Sequence, residues 1–211
     1  MKTTDIFNLG IGGVNLLLHR FKWFCITKIE LCYLSLIGIR MGGSKTEFKG
    51  WARFFRRTGS TIIIGNNCRL NYCSLSNHIG LNHRCIISTM EPDAKLTIGD
   101  NLGMSSSTIT CFKRIDIGNN VRIGANCVIA DGDFHMDDPR VGPAKPVRIC
   151  DGVWLGYGVI VMKGVTIGEN SVIGMNSVVT NDIPENSVAV GSPAKVIRKL
   201  DEDVIQKLEN K

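Results

Sequence analysis

Residues 149–179 read ICDGVWLGYGVIVMKGVTIGENSVIGMNSVV, and an aliphatic residue recurs in this stretch at every sixth position. The series comprises Ile149, Leu155, Val161, Ile167, Ile173 and Val179. This period matches neither an α-helix nor a long strand, because the side chains of both repeat at shorter intervals. It fits very short strands joined by corners, each strand sending one aliphatic side chain into a narrow core.

The same step appears upstream, where Ile117, Ile123 and Ile129 are followed six residues later by His135. The fifth position of each repeat is also small or aliphatic, as at Val121, Cys127, Val153, Val159, Val165, Ser171 and Ser177. Glycine and asparagine fill many intervening positions and tolerate the left-handed backbone angles of tight corners. Stacked coils of this kind bury a continuous aliphatic column.

Ile-Gly dipeptides extend the repeat towards the N-terminus, at residues 64–65, 79–80 and 98–99. Ile79, Ile98 and Ile117 are separated by nineteen residues rather than eighteen, which predicts bulges in the early coils. We therefore expect a mainly β fold in which residues 61–192 form a parallel β-helix. Residues 1–60 are predicted to form a helical N-terminal cap, and residues 193–211 a tail with a short amphipathic helix.

Composition agrees with an aliphatic core, since 44% of the 211 residues are hydrophobic but only 7% are aromatic. The formal net charge of +6 is too small and too localised to indicate a nucleic-acid partner. Eight cysteines without a Cys-x-x-Cys pair predict reduced, buried thiols and a cytoplasmic location. Charges interrupt the apolar segment 9–41, so neither a signal peptide nor a membrane span is expected.

The stretch from Trp154 to Arg198 carries a family resemblance. It contains Trp154-Leu155-Gly156, the repeats of residues 164–174, and the closing sequence Gly191-Ser192-Pro193-Ala194-Lys195-Val196-Ile197-Arg198. It resembles the hexapeptide-repeat acyltransferase superfamily, in particular the maltose/galactoside acetyltransferase-like branch of sugar and polysaccharide O-acetyltransferases. The resemblance implies a left-handed β-helix with three hexads per coil, a homotrimer, and acetyl-CoA bound between neighbouring subunits.

His135 matches the catalytic histidine of that family. It interrupts the aliphatic series immediately before residues 136–148, a proline-rich segment that breaks the register and predicts a loop. Imidazole is a suitable general base at neutral pH, so His135 would deprotonate an acceptor hydroxyl that attacks the acetyl carbonyl. By register the position is otherwise inward-facing, so a buried structural histidine is the alternative.

Other site residues follow from the same resemblance. The backbone N–H of Tyr157 is the candidate oxyanion donor, while Asp131 or Asp133 would orient the imidazole or hold a sugar hydroxyl. The residues that match the acetyl-CoA site are Trp154, Gly156, Tyr157, Gly174, Met175, Thr180, Lys195 and Arg198. Lys163 replaces a usual proline, and no metal is expected. Independently of the resemblance, Ser105 and Ser106 precede a coil expected to lie near His135, so with Asp133 they are candidate acceptor contacts; a plain polar corner is the alternative for the serines.

The partner at the acceptor site stays open between a sugar, a nucleotide sugar and a lipid-linked glycan. Segment 45–57 alternates basic and aromatic residues, which suits either a cap over the core or contact with the inner face of a membrane. N-acetylation of an amino sugar is the main alternative reaction. A zinc enzyme resembling carbonic anhydrase, with His78, His83 and His135 as ligands, and a non-catalytic β-helix subunit are further alternatives.

Overall fold

The structure is a computed structural model that describes residues 11–43, 45–72, 77, 79–135 and 137–209, with side chains described between residues 18 and 208 of these ranges. Its elements are helix α1 (Ile11–Leu36), twenty short strands and helix α2 (Glu202–Glu209). The strands form three sheets, and consecutive strands fall in successive sheets until the last coil. The described chain is therefore a triangular prism whose sides are parallel sheets.

The three sides of the prism are named sheets A, B and C. Sheet A contains β1 (Arg40–Met41), β4 (Thr61–Ile64), β7 (Lys95–Ile98), β10 (Arg114–Ile117), β13 (Val147–Ile149) and β16 (Thr166–Ile167). Sheet B contains β2 (Glu47–Lys49), β5 (Arg69–Asn71), β8 (Gly103–Ser105), β11 (Arg122–Ala125), β14 (Trp154–Leu155), β17 (Val172–Ile173), β19 (Ser187–Gly191) and β20 (Ala194–Lys199). Sheet C contains β3 (Arg53–Arg56), β6 (Ile86–Thr89), β9 (Thr108–Cys111), β12 (Val128–Ala130), β15 (Ile160–Val161) and β18 (Val178–Val179).

The register confirms the six-residue repeat. Ile149 pairs with Ile167 in sheet A, and Leu155 with Ile173 in sheet B. Val161 and Val179 are partners in sheet C, so three hexads complete one coil. The aliphatic residues of the series and the small residues at the fifth positions are buried. The fold is the predicted left-handed parallel β-helix.

Polar ladders run along the corners between sheets A and B. The backbone N–H of Asn66 donates to Asp100 Oδ1 at 2.7 Å, and that of Asp100 donates to Asn119 Oδ1 at 2.9 Å. The next rung joins Asn119 N–H to Asp151 Oδ1 at 2.9 Å. Neighbouring asparagines such as Asn120 adopt positive φ, here 57°, as the corner composition predicted. Each corner thus satisfies backbone donors that no strand partner reaches.

The β-helix begins one coil earlier than residue 61. Strands β1, β2 and β3 pair in parallel with β4, β5 and β6, although they lie in the segment assigned to the cap. This coil has no Ile-Gly dipeptide, because Met41 pairs with Ile64 in sheet A and the aromatic side chains of Phe48 and Phe54 take the inward positions of the other two sheets. Conversely, Ile79 is exposed in a loop before β6 and is no part of the repeat. Strand β11 has a register irregularity against β8 between Ile123 and Ala125, which lies after the span from Ile79 to Ile117 in which bulges were predicted.

Helix α1 covers the N-terminal end of the core, as the predicted cap requires. Ile26, Glu30 and Leu34 are buried on its inner face. Thr27 Oγ1 accepts the N–H of Phe48 at 2.9 Å, and Glu30 Oε1 accepts that of Ala52 at 2.8 Å. Burial raises the pKa of Glu30 above its ordinary value. Within the described residues, neither helix is both long enough and apolar enough to cross a membrane.

The C-terminal end is closed differently. Strand β19 continues sheet B in parallel, and β20 then returns antiparallel to it. The predicted terminal helix is present as α2, which carries Val204, Ile205 and Leu208.

Candidate active site

The loop that carries His135 leaves the prism at the corner between sheets C and A. Strand β12 ends at Ala130 and β13 begins at Val147, so the chain departs before His135 and returns slightly earlier than the sequence indicated. The side chain of His135 is exposed. The inward position expected from its spacing is therefore wrong, because the six-residue register ends with β12.

Asp131 anchors the start of this loop. Its side chain is fully buried, and its Oδ1 accepts the backbone N–H of Phe112 at 2.6 Å. Its Oδ2 accepts the N–H groups of Lys113 and Arg114 at 2.7 and 2.5 Å. Burial, together with the Asp131 carboxylate, raises the pKa of the Cys111 thiol to about 12. Among the described residues, the Asp131 carboxylate has no hydrogen bond to His135.

A lysine ties the middle of the loop to the next coil. Lys163 Nζ lies 2.6 Å from Asp133 Oδ2 and donates a hydrogen bond to the carbonyl of Gly142 at 2.8 Å. Lys145, nearer the end of the loop, donates its backbone N–H to the carbonyl of Asp131 at 2.8 Å. Lys163 therefore joins the two limbs of the loop, and its partner Asp133 lies two residues before His135 in the sequence. A proline at position 163 could not form this ion pair.

An apolar groove adjoins the loop on the outer side of sheet C. Its volume is about 1,040 Å³, and Phe134, the neighbour of His135, forms one wall. Phe134 packs edge-on against Phe112 with ring centroids 5.6 Å apart. Tyr33, Trp51, Phe55, Arg53 and Arg84 line the opposite part of the groove. The exposed aromatic beside His135 was the sequence signal for this groove, which was not predicted.

Trp154 lies on the outer face of sheet B and is half exposed. Ser105, Arg122 and Trp154 border a hollow of about 410 Å³ on that face. Gly156 and Gly174 follow at the corner between sheets B and C. A Cβ added to Gly156 would lie 2.8 Å from the backbone nitrogen of Met175 in the next coil. Glycine is required here because the coils approach so closely.

Tyr157 occupies the same corner. Its hydroxyl accepts a hydrogen bond from Asn126 Nδ2 at 2.8 Å, which holds the ring against the preceding coil. The carbonyl of Tyr157 accepts the N–H of Asn176, whereas its own N–H donates to no other described residue. Met175 is exposed one coil further on. The corner thus presents a backbone donor beside exposed apolar surface.

The remaining cofactor candidates are distributed over the C-terminal coils. Lys195 and Arg198 are exposed on β20, at the end of the sheet that holds Trp154. Thr180 is exposed beyond β18, at the corner between sheets C and A, and accepts a hydrogen bond from Asn181 Nδ2. One chain alone does not gather these residues into a single cleft.

The serine candidates lie at the corner between sheets B and C. Ser105 Oγ accepts hydrogen bonds from Asn71 and Asn77, and Ser106 Oγ exchanges hydrogen bonds with the backbone of His83. Both side chains are buried. Their hydroxyls therefore secure the loop before β6, on the opposite edge of sheet C from His135.

The zinc alternative requires His78, His83 and His135 to meet at one metal ion. His83 and His135 lie on opposite edges of sheet C, and His78 lies outside the described residues. Within the part of the chain that the structure describes, no three His, Cys, Asp or Glu side chains are grouped to hold a metal ion.

Comparison with known proteins places the chain in a family. The family described as "Bacterial transferase hexapeptide (six repeats)" matches residues 146–181, and "Hexapeptide repeat of succinyl-transferase" matches residues 114–132. A candidate acetyltransferase of Staphylococcus aureus is 48% identical, over 51% of this chain and 67% of its own length. The chain belongs to the hexapeptide-repeat transferase family.

Two further comparisons show the extent of the likeness. A candidate acetyltransferase of Schizosaccharomyces pombe is 50% identical where the two chains match. The present chain spans only 45% of the length of that relative. The crystal structure of AntD, an N-acyltransferase from Bacillus cereus in complex with dTDP and 3-hydroxybutyryl-CoA, has a TM-score of 0.64. It is 21% identical, with 84% of this chain and 92% of AntD covered, and so shows that the fold is shared.

Proposed function

We propose that this hexapeptide-repeat transferase moves an acetyl group from acetyl-CoA to a hydroxyl of a sugar or polysaccharide precursor, with His135 as general base. The observation that carries the proposal is the braced loop. Asp131 fixes its start with three backbone hydrogen bonds, and Lys163 joins its two limbs. His135 is thus exposed on a rigid support, as a base that must reach a substrate needs to be.

The chemistry follows from acyl transfer. The imidazole of His135 takes the proton of the acceptor hydroxyl as the oxygen bonds to the thioester carbonyl carbon. The tetrahedral oxyanion then needs a donor, and the N–H of Tyr157, which has no acceptor among the described residues, offers one. Collapse of this intermediate breaks the carbon–sulfur bond, and the CoA thiolate takes up a proton.

A single chain separates these groups. His135 follows β12 at the corner between sheets C and A, whereas Tyr157 lies at the corner between sheets B and C. We place the site between subunits of a homotrimer, where one subunit supplies His135 and a neighbour the corner with Tyr157. The outward residues of sheet C from β12 onward are apolar and suited to such contact: Val128, Ala130, Ile160, Met162 and Val178. Sheet A instead exposes charged residues, among them Lys95, Arg114 and Arg148.

The donor site is assigned to the outer face of sheet B and the tail. Trp154 and Met175 offer exposed apolar surface for the acetyl group and pantetheine, and Gly156 and Gly174 lie at the corner between them, where the coils approach closely. Thr180, from an adjacent subunit, would close the cleft. Lys195 and Arg198 would meet the CoA phosphates as exposed cations.

The acceptor is assigned to the groove beside Phe134. Its aromatic walls suit the apolar faces of sugar rings, and Arg53 and Arg84 suit a phosphate attached to the sugar. The second candidate reaction is N-acetylation of an amino sugar, which the shared fold with the N-acyltransferase AntD favours. We assign the activity to the cytoplasm, in keeping with free thiols at all seven described cysteines.

The deciding experiment measures CoA release from acetyl-CoA across a panel of hydroxyl sugars, amino sugars and nucleotide sugars. His135→Ala should lower kcat by about two to four orders of magnitude, the usual worth of a general base. His83→Ala is the matched control, because His83 is an exposed histidine on the opposite edge of sheet C. Full activity of His135→Ala in an intact trimer would refute the mechanism, and acetylation confined to amino acceptors would select the second reaction.

A further inference from the structure

The outer face of helix α1 exposes an unusually continuous apolar surface. Its large side chains are between 55% and 81% exposed, and they are Leu18, Phe21, Phe24, Ile29 and Leu36. Their spacing of three to seven residues places them on one side of the helix, opposite the buried Ile26, Glu30 and Leu34. The inner face completes the core, whereas within the described residues these outer side chains take no part in the buried core.

Charge selects the kind of partner that fits this face. Arg20 and Lys22 flank the apolar arc, and Lys28 lies within it with its Nζ 5.5 Å from the centre of the Phe24 ring. The one acidic side chain in the described part of the helix, Glu30, is buried against the first coil. The surface is therefore apolar, with cations at its edges and one, Lys28, within it.

A second copy of the chain is a poor match, because it would bring identical cations together around the contact. An anionic lipid surface matches both features. The apolar arc enters the boundary between headgroups and acyl chains, while lysine and arginine side chains extend to the phosphates. The adjoining first coil adds exposed Lys45, Arg53 and Arg57 on the same end of the prism.

We propose that the outer face of α1 docks the protein on an anionic membrane surface. The helix lies along the interface with Phe21 and Phe24 inserted and with Arg20, Lys22 and Lys28 at the headgroups. This orientation has a consequence that rests on the proposed function. The groove beside Phe134 also has Ile29 and Tyr33 of α1 in its wall, so a lipid-linked acceptor would enter it directly from the membrane.

Co-sedimentation of the full chain with vesicles tests the docking. Vesicles of phosphatidylcholine with about one third phosphatidylglycerol should bind the protein, and binding should weaken as salt rises. Phe21→Ser/Phe24→Ser should reduce the partition coefficient at least about tenfold, because two exposed aromatic side chains no longer insert. Val204→Ser/Leu208→Ser is the matched control, since it removes two exposed apolar side chains from α2 and should leave binding unchanged.

Three results would overturn the docking. The first is wild-type protein that stays in the supernatant at low salt, and the second is vesicle binding that survives Phe21→Ser/Phe24→Ser. The third is a larger assembly that forms without vesicles and that this variant dissolves, which would make a second copy the partner. CoA release with soluble acceptors should be the same in this variant and the wild type. Wild-type protein that releases CoA but does not bind vesicles therefore refutes this inference alone, whereas inactivity of the wild type refutes the proposed reaction.

Discussion

The buried carboxylate of Asp131 permits a sharp test of what holds the His135 loop in place. Asp131→Asn keeps the size of the side chain but replaces one carboxylate oxygen by an NH₂ group. In either orientation of the amide, that NH₂ faces a backbone N–H that Asp131 now accepts, at Phe112 or at Lys113 and Arg114. At least one donor then loses its partner inside the protein.

The expected cost follows from those contacts. A buried donor without an acceptor costs about 1–3 kcal/mol, and hydrogen bonds to a charged group contribute about 1.5–3 kcal/mol each. We therefore expect Asp131→Asn to lower the free energy of unfolding by about 2–4 kcal/mol. Asp133→Asn is the control, because it removes only the partly exposed ion pair with Lys163 and should cost about 1 kcal/mol or less.

Urea unfolding at a fixed protein concentration measures both variants, since subunit association contributes to the apparent stability. CoA release should be assayed well below the unfolding midpoint of each variant. If Asp131→Asn unfolds within about 0.5 kcal/mol of the wild type and yet loses activity, the carboxylate orients His135 and does not brace the corner. That outcome would restore the role that the family resemblance implied for Asp131.

Two further predictions concern packing and thiol chemistry. Gly156→Ala should lower the free energy of unfolding by about 1–3 kcal/mol, because its Cβ would press on the backbone at Met175. Gly103→Ala is the control, since its Cβ meets nothing within 4 Å, and it should change the free energy of unfolding by about 0.5 kcal/mol or less. Equal urea midpoints for the two variants would contradict this. Since the pKa of Cys111 is raised to about 12, its thiolate is scarce at about pH 8 and grows only as pH approaches that value. Ellman's reagent should modify exposed Cys32 in the native protein and spare Cys111 until urea is added, and a labelled Cys111 peptide from native protein would refute it.

The sequence was informative wherever one aliphatic side chain per hexad decides the structure. The series from Ile149 to Val179 predicts the sheets and their register, because each member must point into the same narrow core. The first coil escaped notice since Phe48 and Phe54 replace the usual aliphatic pair. Ile79 was wrongly included in the repeat, because an Ile-Gly dipeptide can also occur in an exposed loop.

The site was harder to predict, because its parts depend on where the repeat stops. Sequence spacing extended the inward series to His135, but the chain leaves the prism after Ala130, at the Asp131-Gly132 dipeptide. The hydroxyls of Ser105 and Ser106 could not be assigned either, since their partners lie more than twenty residues away. The pairing of Lys163 with Asp133 joins successive coils and becomes visible only when they are stacked.

The antiparallel return of β20 limits how many coils can stack in this fold. A stack of parallel coils has no intrinsic length, and an open final coil invites the first coil of another molecule to continue it into a fibre. In sheet B the chain instead turns back, so that an incoming parallel strand would meet an antiparallel edge bearing Lys195, Arg198 and Lys199. Strand β20 thus opposes end-to-end polymerisation at the C-terminal end of the prism, and α1 does so at the N-terminal end.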